Sequence, residues 1–342
     1  MPRYHLSESN PDQLSEAFSV SYEPVDSDLP VGNQVMGVIQ YGKSTVIDPG
    51  QPVKINVGVP CIGERKFREV WTSKESTSQH TYNDIHYSIN NYAIFGNFLV
   101  DESDFPDLEK ATYFAYKKII DMLDNQGYPR LLRIWNYFPD INKTVDSIER
   151  YRMFCVGRHH AMNVSSKTEK LLPAASAIGT HSPGLLISFI AAKDPGVQIE
   201  NPKQVSAFHY PSTYGPKSPS FSRAILKNWG KHSHLYISGT ASIVGHATTH
   251  VNDVTSQFNQ TVDNLQSLLE NTQWEDINND NRVKLSSIND ISLWKIFIRN
   301  PQDIDNIQSL AQQILGPEAP IIFLQGDICR AELTLEIEGV YI

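Results

Sequence analysis

"LTLEIEGV", Leu333–Val340, alternates apolar and other residues with the two-residue period of a β-strand. Leu333, Leu335 and Ile337 share one face, and Thr334, Glu336 and Glu338 share the other. The plain reading is a half-solvated strand whose carboxylates face water. The other is a pair of acids presented to a shielded site. The order of elements that this strand closes bears on the choice.

Upstream, "HLYISGTASI" reads as a strand ending at Gly239. "THVNDVTSQFNQTVDNLQSLLEN" sets Val251, Val254, Phe258, Val262, Leu265 and Leu269 on one helical stripe, with Asn252 or Asp253 as a cap. "SLWKIFIRN" follows as a strand and "IDNIQSLAQQIL" as a helix, and "LTLEIEGV" closes the series. The same order stands earlier in the chain. "YAIFGNFLV" is a strand ending near Val100. The helix in "PDLEKATYFAYKKIIDMLDNQG" carries Leu108, Ala111, Phe114, Ala115, Ile119 and Met122 at helical spacing and stops at Gly127. "RLLRIWNYF" is a strand, "SIERYRMFCVGRHHAM" surrounds a helix, and "GLLISFIAAK" closes. Strand, helix, strand, helix, strand occurs twice. That order predicts α+β sheets with helices on one face and an interface between related units.

Residues from about 31 to 75, with "QVMGVIQYG" and "VKINVGVP", read as strands of a smaller, less complete third unit. The first thirty residues look polar and loosely structured. The chain therefore divides into an N-terminal unit over 1–78, a central unit over 79–205, and a linker loop with a C-terminal unit over 206–342. "FHYPSTYGPKSPSFSRA", between the copies, is a linker or a binding loop, since aromatic residues, Lys217 and Arg223 gather there.

The 342 residues are 40% hydrophobic, enough for a substantial core. A net charge of −9 argues against a nucleic-acid partner, which needs clustered Lys and Arg. No apolar run reaches membrane-spanning length, and "MPRYHLSESNPDQ" has no apolar signal core. Cys61, Cys155 and Cys329 are far apart and form no CxxC, which suits reduced thiols and a cytoplasmic protein.

The second copy resembles the RidA/YjgF fold, in its "YISG" strand, long helix and closing "EIE" strand. "RYRMFCVGR", "YGPKSPSFSRA", "ISGTASIVGH" and "DICRAELTLEIEG", in that order, are similar to the chorismatases, over roughly residues 30 to 342. The resemblance implies two RidA/YjgF-like (chorismate-mutase-like) repeats plus a smaller N-terminal unit, with pseudo-threefold symmetry in one chain and therefore a monomer. It implies a cleft between the central and C-terminal units that binds chorismate and needs no cofactor or metal. In secondary metabolism such an enzyme cleaves chorismate to pyruvate and either a hydroxybenzoate or a dihydroxycyclohexadienoate.

Chorismate is an enol ether with two carboxylates. Cleavage begins when its methylene carbon takes a proton, so the acid must be protonated near neutral pH, which desolvation favours. By the resemblance that acid is Glu336, and Glu338 is structural or tunes it. Arg158 and Arg223 would hold the carboxylates, although surface ion pairing is the ordinary role of an arginine. Tyr214 would bond a carboxylate or ring hydroxyl, with Lys217 as a weaker candidate. Gly239 and Ala241, in "SGTAS", bring backbone close to the ligand. Cys329 matches a cysteine of hydroxybenzoate-forming members, which favours 3-hydroxybenzoate, with 4-hydroxybenzoate as a possible companion product, whereas Ala241 also matches the diene-diol subgroup. Strand alternation would let only one of Cys329 and Arg330 face the cleft. His246 and His250 are spaced for a metal on a helix, but no third ligand is evident. The rival readings are a RidA-type imine hydrolase and a non-catalytic RidA-like ligand-binding protein.

Overall fold

Three sheets carry the molecule, and the computed structural model describes them over residues 19–30, 34–63, 66–230, 232–275, 282–285 and 287–342. The N-terminal sheet consists of β1 (Ser19–Pro24), β2 (Val35–Tyr41), β3 (Val46–Asp48), β4 (Lys54–Val57) and β5 (Phe67–Thr72). Its order is β1-β5-β2-β4-β3. β1 corrects the reading of the first thirty residues as loosely structured. Val20 and Tyr22 alternate onto the core while β1 pairs with β5 from Ser19↔Thr72 to Pro24↔Phe67. Residues 1–18 of that stretch lie outside the described residues.

The central sheet begins with the hairpin β6 (Ser78–Tyr82) and β7 (Ile85–Ile89), followed by β8 (Ala93–Val100) and α1 (Leu108–Gln126). Asp107 caps α1 by accepting from the Lys110 amide, a bond worth about 1 kcal/mol. Gly127 ends the helix at φ 78°, where a side chain would be strained. Next come β9 (Arg130–Pro139), the short hairpin β10 (Thr144–Val145) and β11 (Ile148–Glu149), α2 (Arg150–Ala161), β12 (Ala174–Thr180) and β13 (Leu185–Ala192). The C-terminal sheet contains β14 (Val197–Ile199), β15 (Ala224–Asn228) and β16 (Ser233–Thr240). The hairpin β17 (Ile243–Val244) and β18 (Ala247–Thr248) leads to α3 (Val254–Glu270), capped by Asp253. The hairpin β19 (Gln273–Glu275) and β20 (Arg282–Lys284) precedes β21 (Leu293–Ile298), α4 (Ile304–Leu315), β22 (Ile321–Gln325) and β23 (Leu335–Tyr341).

The central order, read from its hairpin, is β6-β7-β8-β13-β9-β12, and the C-terminal order is β14-β15-β16-β23-β21-β22. They are the same plan. Each sheet holds three strands more than the sequence pattern gave: β6, β7 and β12 in the central one, and β14, β15 and β22 in the C-terminal one. β12 ("AASAIGT") and β22 ("IIFLQ") each lie parallel to the strand before the second helix. β12 consists largely of small residues of weak strand preference and is buried throughout, so it shows no alternation. By pairing, β14 belongs to the C-terminal sheet although it precedes residue 205.

The N-terminal sheet is the same plan without helices among the described residues. β1/β5 and β5/β2 are antiparallel and β2/β4 is parallel, like β8/β13, β13/β9 and β9/β12. The ends of the parallel strands join the three sheets in turn. Gly179 of β12 exchanges backbone bonds of 2.7 and 3.0 Å with Asp327. Gln325 of β22 donates to Pro60 O at 2.8 Å. Gly58, just past β4, accepts from the His181 amide at 3.4 Å. These joints close a pseudo-threefold ring. One core fills its centre, with the Trp71 and Trp135 rings edge to face at 6.1 Å. α1 and α2 cover the outer face of the central sheet, and α3 and α4 that of the C-terminal sheet.

Candidate active site

At the joint between the central and C-terminal sheets lies a cavity of about 610 Å³. Its lining includes Ala175, Ser176 and Ala177 of β12, Gly239 of β16 and Glu336 of β23. β23 is not a half-solvated strand: Glu336 is 4% exposed and Glu338 3%. The helices α3 and α4 cover one face of β23 and the ring centre covers the other, which apolar alternation alone does not reveal.

The Glu336 Oε1 has no hydrogen-bond partner. Burial, and then the charge of Glu338, pushes its pKa up to about 8 against the pull of Arg133 and Arg223. The carboxyl lies where a side chain at residue 239 would stand: a Cβ on Gly239 would collide with Oε1. Gly239 was expected to admit a ligand; it lines the cavity and also makes room for the acid.

Glu338 points into the ring centre and does not line the cavity. Its Oε2 accepts from Arg133 Nη2 at 2.6 Å and Ser176 Oγ at 2.5 Å, and its Oε1 accepts from Trp135 Nε1 at 2.7 Å. Lys295 Nζ stands 3.1 Å from Glu338 Oε1 and 2.7 Å from Glu69 Oε2. Burial alone would raise the pKa of Glu338. Arg133, Lys295 and the hydrogen bonds outweigh it and lower the value to about 2. Two cations thus balance Glu69 and Glu338, and ionising Glu336 as well would leave this buried group with an excess negative charge. Sequence reading missed Arg133, Lys295, Glu69 and Ser176. Arg133 in the middle of the apolar run of "RLLRIWNYF" and Lys295 in that of "SLWKIFIRN" were the available signals.

Arg158, in the last turn of α2, is 2% exposed. Its guanidinium lies 4.9 Å from the Phe154 ring, and its Nε and Nη2 have no partner. Buried unsatisfied donors of a cation on a cavity wall suit an anion. Arg223, just before β15, donates from Nη2 to Tyr210 Oη at 2.6 Å and to Val205 O at 3.1 Å, and its Nε is unpartnered. Neither arginine makes the surface ion pair of the ordinary reading. Tyr214 meets His246 Nδ1 at 3.1 Å through its hydroxyl, and Arg330 lies over its ring at 4.1 Å. Ala241 and Cys329 also line the cavity. Burial, and then Glu336, pushes the Cys329 thiol up to about 12, so it is neutral.

Three expectations differ. Cys329 and Arg330 both line the cavity, because their segment is irregular and strand alternation does not apply. Lys217 does not line it. His246 and His250 precede α3 rather than lying on a helix. No helix among the described residues is long and apolar enough to cross a membrane.

Fold and cavity together define a ring of three related sheets with a protonated carboxyl and unsatisfied guanidinium donors at one joint. A family model described as Chorismatase FkbO/Hyg5-like, N-terminal, matches residues 69–191. A 3-hydroxybenzoate synthase of Streptomyces hygroscopicus is 32% identical, over 91% of this chain and 92% of its own. A chorismatase of the same organism is 33% identical, over 92% and 91%. A chorismatase crystal structure superposes with a TM-score of 0.85 at 31% identity, over 95% of this chain and 98% of the other. The chain belongs to the chorismatase family.

Proposed function

We propose that this protein is an enzyme that cleaves the enolpyruvyl ether of chorismate, with Glu336 as the acid. The observation that carries the reading is a buried, protonated Glu336 carboxyl without a hydrogen-bond partner, in a cavity that also holds unsatisfied donors of Arg158 and Arg223. The two guanidinium groups take the substrate carboxylates and Tyr214 supports one end of the ring. Glu336 then gives its proton to the methylene carbon, and the ether oxygen shares the resulting positive charge. If the ring hydroxyl displaces that oxygen, pyruvate leaves and the ring aromatises to hydroxybenzoate with no net water consumed. If water attacks the oxocarbenium carbon instead, one water is consumed and a dihydroxycyclohexadienoate remains.

Hydroxybenzoate, the 3-isomer first, is the favoured product. The neutral Cys329 thiol is a poor anchor for an attacking water. Two arginines and a cavity of about 610 Å³ suit a cyclic dicarboxylate better than a small imine. That distinguishes this reading from an imine hydrolase built on the same repeats. Since the ring closes within one chain, a monomer is the expected form, and three free cysteines suit the cytoplasm.

Incubating the purified protein with chorismate tests the reading. Pyruvate release, followed by coupled reduction to lactate, is the expected result. No pyruvate above the spontaneous rate would overturn it.

A further inference from the structure

Arg299 follows β21 and does not line the cavity. Its guanidinium nevertheless organises the cavity wall. Nε donates to Leu333 O at 2.9 Å and Nη1 to Asp327 Oδ1 at 2.6 Å. Nη2 is shared among Asn142 Oδ1, Ile328 O and Arg330 O, each at 3.1 Å. The chain between β22 and β23 is irregular, so these carbonyls have no strand ladder to satisfy them. The same segment presents Cys329, Arg330, Ala331 and Glu332 to the cavity and runs directly into β23 with Glu336. Asn142 belongs to the central unit. It donates to Ile328 O at 3.1 Å and to Oε1 of the cavity residue Glu149 at 3.2 Å. One planar fork therefore ties both sides of the joint to one wall.

We infer that Arg299 is a positioning residue that fixes the Ile328–Leu333 wall, and thereby where Cys329 stands beside the substrate ring and which product leaves. The inference rests on the proposed chorismate cleavage. An arginine fork sets several acceptors in one geometry, whereas a lysine is a single charged point. A wall free to move by an ångström admits water beside the ring and misplaces the ring relative to Glu336.

The test is Arg299→Lys, measured for kcat, KM and chromatographic product ratio with chorismate. Pyruvate release should persist, the diene-diol share should rise against hydroxybenzoate, and kcat/KM should fall by up to about 10²-fold, the scale of an ångström misplacement. A role in stability alone would lower the amount of active enzyme and leave the ratio unmoved. Asn142→Ala loosens the same wall from the central unit and should shift the ratio in the same direction. It decides the matter if Arg299→Lys does not fold. Parent product ratios in the folded variants would overturn the inference alone, as would a parent enzyme that releases no hydroxybenzoate. A parent that releases no pyruvate would overturn the functional reading together with it.

Discussion

Glu336 and Glu338 stand one pleat apart on β23, both buried, and are held in opposite protonation states at neutral pH. Glu338 is surrounded by donors and stays ionised, and its charge joins burial in keeping the proton on Glu336. The two like residues differ in what surrounds each carboxyl, and Glu336 is the one that carries the proton the proposed reaction needs.

The pair gives a pH signature of opposite signs. Glu336 binds its proton more tightly in the folded state than the ordinary glutamate value of 4.5, so its contribution to stability is full below pH 4.5 and is lost as pH rises through about 8. Glu338 does the reverse, and its contribution is lost as pH falls from 4.5 through about 2. Thermal melts of Glu336→Gln should therefore show a flatter decline between pH 4.5 and 8 than the parent. Parallel declines would show that Glu336 is ionised in the folded protein at neutral pH.

Arg158 and Arg223 differ in what else they hold. Alanine at either should weaken binding of a dicarboxylate inhibitor by about 1.5–3 kcal/mol, the range for charged hydrogen bonds. Arg223→Ala should also lower Tm, because Tyr210 and Val205 O lose their donor, whereas Arg158 has two donors that bond nothing in the protein. Calorimetry with unchanged affinity for both variants would remove them from the site.

Gly239 is a direct probe of the acid's position. Gly239→Ala places a methyl group where the Glu336 carboxyl lies, so the carboxyl must move. The fold should survive, and turnover should drop towards the 10²–10⁴-fold loss expected when a positioned proton donor is removed, roughly the worth of general acid catalysis. Parent-like kcat in a folded Gly239→Ala protein would contradict the geometry.

The ring of three sheets within one chain should make the protein a monomer. Light scattering is expected to give the mass of one 38.6 kDa chain. A stable trimer would mean that the joints between sheets are also used between chains.

The helices and three of the six strands in each full repeat's sheet were legible in the sequence because each carried a period, a stop or a cap: Gly127 ends α1, and Asp253 starts α3. β12 and β22 escaped because a strand buried on both faces, or one of five residues, offers no alternation to read. Among the site residues, Glu336, Arg158, Arg223, Tyr214, Gly239, Ala241 and Cys329 were legible only through motif resemblance, and the fold brings all seven to one cavity. Periodicity assigned the carboxylates a common face but could not show that the face is dry. Lys295 is the cross-strand partner of Glu338 on the adjacent β21, whereas Arg133 of β9 and Glu69 of β5 lie in the other two sheets, and only the closed ring brings those two to the same cluster.

The most direct measurement is the rate of pyruvate release from chorismate by Glu336→Gln beside the parent protein, with inhibitor affinity measured on the same samples. The amide cannot supply the proton, so kcat should fall by about 10²–10⁴-fold while the inhibitor still binds. A folded Glu336→Gln protein that turns chorismate over at the parent rate would contradict the assignment of Glu336 as the acid.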